Sequence, residues 1–230
     1  MSSNDYMGQL TAAATNAFNY MRVPVLASSG LAAVMSGLLY FKQNELIYPR
    51  NFPAGSRTDV FRPRKFGFSD YEELHLPTPD GETIGAFLLR PSNESQARKV
   101  TVIMFHGNAG NIGHRVPIGI KLQEDTGCKI LMLEYRGYGF STGTPDERGL
   151  LLDAQTGLDY IRQRADLRDD KVIVYGQSLG GSVGIQLVAK NRDKNAVIGL
   201  ILENTFLSMR KIIPRYIDEL SLRLPADLLT

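Results

Sequence analysis

The sequence has 230 residues, of which 43% are hydrophobic and 22% are charged, and its formal net charge is +2 at pH 7. That length fits one globular domain with an additional segment, and the small net charge excludes the strongly basic field typical of nucleic-acid binding. The single cysteine, Cys128, excludes an intrachain disulfide bond. The three histidines do not have the spacing of a zinc site, so we expect neither a metal nor another cofactor.

An uncharged, mostly apolar run lies between Arg22 and Lys42. As a helix it would span roughly 28 Å, close to the thickness of a membrane's hydrocarbon core. We therefore predict a tail at residues 1–22, a single-pass transmembrane anchor at Val23–Phe41 with Pro24 in its first turn, and a linker at residues 42–68. A targeting segment and a buried helix remain alternatives. The charges on both sides leave the orientation open, and the membrane is predicted only as an endomembrane or the plasma membrane.

Short strands are predicted at Tyr71–Leu76 and Thr83–Leu89, and the Pro- and Gly-containing turn between them favours a hairpin. Four nearly continuous apolar runs follow, and such runs are typical of parallel strands covered by helices on both faces. Helical patterns separate them, at about residues 115–126, 146–163 and 179–190. We predict a doubly wound, mostly parallel α/β sheet with an N-terminal antiparallel hairpin over residues 69–230. The four runs are Val100–Phe105, Lys129–Glu134, Lys171–Tyr175 and Gly199–Leu202.

A nucleophile motif follows the apolar run KVIVY, which leads through Gly176-Gln177-Ser178-Leu179-Gly180 into a helical pattern. This is G-x-S-x-G in the strand–turn–helix context that gives the motif its meaning. Small residues at Gly176 and Gly180 let strand and helix approach closely, so the Ser178 hydroxyl would project at the carboxyl edge of the sheet, above a helix N-terminus. We predict that Ser178 is a catalytic nucleophile. The alternative is a glycine-rich turn without a catalytic role.

A second glycine-containing loop, His106-Gly107-Asn108-Ala109-Gly110-Asn111, comes directly after the run VTVIMF. Glycine lets the backbone approach a substrate oxygen, and we expect the N–H groups of Asn108 and Leu179 to form an oxyanion hole. His106 is expected to form structural hydrogen bonds beneath the loop rather than to act as the catalytic base. A loop with no role in catalysis is the alternative.

A third loop, Glu134–Ser141, follows the next run, and we expect its aromatic residues to form pocket wall or packing. The motifs HGNAGN, LEYRGYGFSTGTP and YGQSLGGSV, in this order after consecutive strands, resemble the α/β-hydrolase superfamily. The sequence is most similar to the ABHD-type, bud-emergence branch of membrane-anchored serine hydrolases, and QNELIYP and ENTF resemble that branch too. The resemblance covers the chain from about Val23 to its end.

The resemblance implies an α/β-hydrolase fold and a serine hydrolase that acts on small-molecule esters, thioesters or amides, lipid-like substrates among them. It makes Ser178 the nucleophile and the N–H groups of Asn108 and Leu179 the oxyanion donors. It assigns no catalytic acid or base, because no residue here matches those positions.

The rest of a catalytic triad is missing from the sequence. A serine hydroxyl needs a neighbouring base, and in this fold the acid and then the histidine follow the serine along the chain. No histidine follows Ser178. We therefore expect a chain shortened at its C-terminus, without the last strands, and with little or no turnover. Asp193, Asp218 and Asp227 are expected to be solvated charges, and His114 is a weak candidate for a substitute base.

The absent histidine also keeps a second function open, a non-catalytic, membrane-tethered binding or interaction module with the same fold. A phosphate- or nucleotide-binding α/β protein fits poorly, because neither G-x-x-x-x-G-K-[ST] nor G-x-G-x-x-G follows a strand.

Overall fold

The computed structural model describes residues 3–93, 97–194 and 196–205. The chain divides into two compact units, Met1–Ile47 and Tyr48–Thr230. Helix α1, Ser3–Ile47, forms the first unit. Its segment Phe18–Ile47 has a mean hydropathy of 1.6, is not buried, and is long and apolar enough to cross a membrane.

Helix α1 is longer than the predicted anchor Val23–Phe41 at both ends. The run TAAATNAF, which precedes Val23, contains several alanines, and alanine favours helix. Pro24 therefore lies in the interior of α1 and not in its first turn, where proline removes one backbone hydrogen bond.

The described residues of the second unit form a six-stranded sheet in the order β1-β2-β4-β3-β5-β6. Strands β1 and β2, and strands β2 and β4, pair antiparallel, whereas β3 pairs parallel with β4 and β5, and β5 with β6. The predicted mostly parallel sheet with an antiparallel hairpin is thus confirmed. The strands are β1 Tyr71–Pro77, β2 Thr83–Leu89, β3 Val100–Phe105, β4 Lys129–Leu133, β5 Lys171–Gln177 and β6 Gly199–Glu203.

Three α-helices connect the parallel strands. They are α2 Val116–Thr126, α3 Glu147–Gln163 and α4 Leu179–Lys190. A 3-10 helix, Ile112–Arg115, precedes α2, and it lies mostly before the predicted helix, which begins at about residue 115. Helix α3 begins where the Asp146 carboxylate accepts a hydrogen bond from the Gly149 N–H at 2.6 Å, a typical N-cap.

Helices α2 and α3 cover opposite faces of strand β4. A methyl group built on Gly119 of α2 would lie 2.5 Å from the Met132 sulfur, and one on Gly157 of α3 would lie 3.1 Å from Leu133 Cδ1. Successive side chains of a strand point to opposite faces, so the two helices pack on the two sides of the sheet. This explains why all five residues of β4 are buried and why its sequence is continuously apolar.

Residues 48–68, predicted as part of a linker, belong to the second unit. Tyr48, Val60 and Pro63 are buried. The Asn111 side-chain amide donates to the Ser56 carbonyl at 2.9 Å, so this segment is tied to the loop after β3. Its prolines and charges indicate irregular structure, but its burial comes from contacts with residues distant in the sequence.

Candidate active site

Ser178 occupies the bend between β5 and α4 with φ 52°, in the left-handed region. For a residue other than glycine such a backbone costs about 1–3 kcal/mol and persists only where its surroundings hold it. The Ser178 N–H donates to the Glu203 carbonyl at 2.9 Å. Its own carbonyl accepts from the Gly181 N–H at 3.0 Å and from the Thr205 hydroxyl at 2.7 Å. Strand β6 and helix α4 together therefore fix the bend.

Glycines around Ser178 allow strand and helix to come this close. A Cβ on Gly176 would lie 2.4 Å from the Gly180 carbonyl oxygen, and one on Gly180 would lie 2.2 Å from the Phe105 carbonyl oxygen. Both distances are too short for any side chain, and the contacts are with backbone that has little room to move. The bend leaves Ser178 half-buried at the carboxyl edge of the sheet.

The loop at residues 106–111 lies beside this bend, because Phe105 at the end of β3 pairs with Gly176 at the end of β5. A methyl group built on Gly107 would lie 3.7 Å from Ser178 Cβ. Asn108 is half-buried in this loop. Leu179 is buried as the first residue of α4, where the N–H groups have no partner within the helix. The structure thus brings Ser178, Gly107 and the first turn of α4 together.

His106 lies beneath the loop and is almost fully buried. Its Nδ1 is 2.7 Å from the Gly107 carbonyl oxygen. Its Nε2 is 2.8 Å from Glu134 Oε1. The other Glu134 oxygen accepts from the Ile112 N–H at 3.0 Å. The imidazole is therefore fixed between the loop backbone and a buried carboxylate.

Sequence reasoning identified His106 but missed its contact with Glu134. A signal was present, since His106 directly follows the predicted run Val100–Phe105 and Glu134 is the last residue of the predicted run Lys129–Glu134. Phe105 pairs with Leu133 in the parallel β3–β4 ladder, so the next residue on each strand also lies side by side. Once the strand order is known, this contact follows from the register.

Two buried tyrosines of the third loop hold the second loop in place. The Tyr135 hydroxyl donates to the His106 carbonyl at 3.0 Å, and the Tyr138 hydroxyl lies 2.9 Å from both the carbonyl and the side-chain oxygen of Asn108. Burial raises the pKa of both phenols well above the usual value, so both remain protonated donors. The residues predicted as wall or packing are therefore also hydrogen-bonding supports.

The remaining histidines have other contacts. His114 Nδ1 accepts from the Asn111 N–H at 3.2 Å, and the His114 N–H is 3.3 Å from the Asn111 side-chain oxygen, which forms a capping box. Burial lowers the pKa of His114. His75 is exposed on β1 and lies against the Phe140 ring.

Of the acidic residues weighed from the sequence, Asp193 is exposed in a 3-10 helix, whereas Asp218 and Asp227 lie outside the described residues. Glu203, which sequence reasoning noted only for its motif, ends β6 next to the bend. It accepts hydrogen bonds from the Tyr175 hydroxyl and, at 3.1 Å, from the Gln177 amide. These bonds lower the pKa of Glu203 and keep it ionised.

The family model of the alpha/beta hydrolase fold matches residues 100–225, which include the loop after β3 and the bend at Ser178. The chain belongs to the α/β-hydrolase fold family. The predicted similarity to the bud-emergence branch of this family is confirmed by two fungal relatives. One is protein bem46 of Schizosaccharomyces pombe, 42% identical over 86% of this chain and 64% of its own length. The other is the uncharacterized membrane protein YNL320W of Saccharomyces cerevisiae, 37% identical over 80% of this chain and 62% of its own length.

Among solved structures, this α/β hydrolase is similar to the Pyrococcus furiosus esterase Pf2001, with a TM-score of 0.58 and 19% sequence identity. The match covers 74% of this chain and 62% of that one, and identity at this level shows a shared fold only. The chain spans less than two thirds of the length of the relatives it matches.

Proposed function

We propose that this protein is a membrane-anchored serine hydrolase that cleaves carboxylic esters or thioesters, lipid-like ones among them, through an acyl-enzyme. The observation that carries the proposal is the position of Ser178, half-exposed in a left-handed bend that only tight glycine packing allows. Backbone strain of this kind is concentrated at functional sites. The similarity in fold to the Pyrococcus furiosus esterase supports the ester-cleaving class.

In the proposed reaction the Ser178 oxygen attacks the acyl carbon, and negative charge develops on the former carbonyl oxygen. The N–H groups of Asn108 and Leu179 are proposed to bind that oxygen, because both lie on backbone next to the bend. The positive end of the α4 dipole adds to this stabilisation. Losing one such donor typically lowers the rate on the order of 100-fold or more.

The proton of Ser178 needs an acceptor that the three histidines do not supply. All three precede Ser178 in the sequence, and their rings have the contacts described above. We therefore expect the chain as given to be acylated slowly and to turn over substrate little or not at all. The second candidate is a non-catalytic membrane-tethered module that binds ligands at this site, and the contacts that occupy the three rings are compatible with it.

Labelling by a fluorophosphonate probe tests the assignment. The full chain in a neutral detergent is incubated with the probe, and the variant Ser178→Ala is treated in the same way. The matched control is Ser182→Ala, which removes a hydroxyl from the first turn of α4. Slow labelling of the unaltered chain that is lost in Ser178→Ala and kept in Ser182→Ala is the expected result. Labelling that persists without Ser178 would defeat the assignment, and no labelling of the unaltered chain would favour the binding module.

The membrane attachment is proposed from the apolar segment Phe18–Ile47 and is supported by the Saccharomyces cerevisiae relative, which is called a membrane protein. We expect the chain to stay in the membrane pellet after extraction with alkaline carbonate. Release of the intact chain into the supernatant would show that the helix does not anchor it.

A further inference from the structure

Arg115 is the last residue of the 3-10 helix that follows the loop at residues 106–111. A methyl group built on Gly107 would lie 3.8 Å from Arg115 Nη2 and 3.7 Å from Ser178 Cβ. The guanidinium and the proposed nucleophile therefore flank the same glycine. No feature of the sequence singled out this arginine, since its proximity to Ser178 depends on the pairing of β3 with β5.

Within residues 3–93, 97–194 and 196–205, no carboxylate lies within ion-pair distance of Arg115, and its buried Nε has no hydrogen-bond partner. Nη2 is 3.5 Å from the Ala109 carbonyl oxygen, the outer limit of a hydrogen bond. By contrast, Arg136 contacts both Asp80 and Asp153, and Arg164 contacts Glu72 and Asp166. Leaving a buried N–H donor of a cation without a hydrogen-bond partner costs free energy. The unpaired Nε of Arg115 at the carboxyl edge of the sheet therefore calls for an explanation.

The positive charge of Arg115 affects the pKa of a neighbouring carboxylate, Glu203. Hydrogen bonds from Tyr175 and Gln177 lower the pKa of Glu203 most, and the Arg115 charge contributes to that lowering. The Glu203 carboxylate is nevertheless occupied by those two donors. The Glu203 charge therefore weakens the positive potential around Arg115, but the two residues do not form an ion pair.

We propose that Arg115 binds an anionic group of the substrate, a carboxylate or a phosphate, close to the ester carbonyl that Ser178 attacks. The planar guanidinium presents paired N–H donors that match the oxygens of either anion. The consequence is a preference for negatively charged esters over neutral ones of the same shape. This inference rests on the proposed function, because it places the anion next to the attacked carbonyl.

The test measures binding and does not need turnover. Two pairs of ketones are titrated by ligand-observed NMR into the full chain in a neutral detergent, the ketone standing in for the ester carbonyl. One pair is 4-oxopentanoate and the neutral 4-oxopentanamide, and the other is 2-oxopropyl phosphate and the neutral 1-hydroxypropan-2-one. We expect at least one anion to bind about 10-fold more tightly than its neutral partner, and the pair with the larger ratio identifies the preferred anion.

The same titrations are repeated on Arg115→Gln and on the control Arg168→Gln, which makes the same charge change at an exposed arginine. The preference should vanish in the first and persist in the second. Arg115→Lys, which keeps the charge but loses the planar fork, should retain part of it. Equal affinity of anion and neutral partner for the unaltered chain, no binding of either anion, or an unchanged preference in Arg115→Gln would overturn the proposal.

Failure of this inference can be told apart from failure of the proposed function. If the fluorophosphonate labels Ser178 but the ketones show no charge preference, the hydrolase assignment stands and the role of Arg115 falls. If the anions bind through Arg115 but Ser178 is not labelled, the anion site stands as part of a binding module.

Discussion

The two ends of the parallel strands differ in how well their buried polar groups are paired. At the amino ends, the buried Asp170 carboxylate accepts from Lys129 Nζ and from the Thr101 hydroxyl, both at 2.8 Å. At the carboxyl ends, Ser178 has a strained backbone and Arg115 Nε has no partner among the described residues. One sheet thus has an end where buried charges are matched and an end where strain and unmatched charge persist. The first serves stability, and the second is the pattern expected where a ligand completes the structure.

The largest effect should come from the matched end. Asp170→Asn leaves the Lys129 charge buried without its partner, and breaking such a pair should lower the free energy of unfolding by about 3 kcal/mol. Urea denaturation of the full chain in detergent measures this. The control Asp169→Asn, whose side chain is 81% exposed, should change stability by less than about 0.5 kcal/mol. Similar losses of unfolding free energy in the two variants would show that the buried Lys129–Asp170 pair does not stabilise the amino ends of the strands.

At the other end, a substitution should increase stability while it removes function. Ser178→Gly places at φ 52° the residue that tolerates this conformation, so we expect a gain of about 1 kcal/mol in the free energy of unfolding. Ser178→Ala is the matched control, because it also removes the hydroxyl but keeps Cβ. A gain of equal size in both variants would mean that the strain does not reside in the backbone.

The hydrogen bonds that support the oxyanion loop should have a smaller effect on stability. Tyr138→Phe removes the donor to Asn108 and should cost about 1 kcal/mol. It should also slow fluorophosphonate labelling several-fold, because Asn108 is less firmly held. Tyr160→Phe is the control, since that hydroxyl contacts Arg164 on a different part of the domain. Unchanged labelling in Tyr138→Phe would show that this hydrogen bond does not position Asn108 for the reaction of Ser178.

The smallest effect concerns pH. Burial, with the nearby Arg115 charge, lowers the pKa of His114, so protonation is less favourable in the folded than in the unfolded protein. Stability should fall as pH drops below about 6.5 and through the lowered pKa. His114→Gln keeps an acceptor for the Asn111 N–H and should lose this part of the pH dependence between pH 7.5 and 5. His75→Gln, at an exposed position, should keep it.

The strands and the bend at Ser178 could be predicted because their signals are local. An apolar run such as KILML needs no partner to be recognised, and the glycines that allow the bend lie within two residues of Ser178. The contacts that distinguish the two ends of the sheet could not be predicted in this way. Lys129 and Asp170, or Gly107 and Ser178, are brought together by the strand order, which no local pattern specifies.

The same limit explains the linker prediction at residues 42–68. Prolines indicate irregular backbone, but whether an irregular segment is solvated or packed depends on its partners. Here the partners are side chains such as Asn111, which binds the Ser56 and Asp59 carbonyls. Tyr48 and Val60 are buried as well, which the sequence of the segment alone does not specify.

The position of β3 between β4 and β5 has a consequence for synthesis on the ribosome. Strands β1 to β4 can pair as soon as Leu133 has emerged, but Val100 must wait for Lys171. During that interval the newly made sheet ends in VTVIMF, an open apolar edge that is prone to intermolecular pairing. We therefore expect the nascent chain to bind chaperones most strongly after β4 is made and to be released once β5 and its neighbour β6 have been translated.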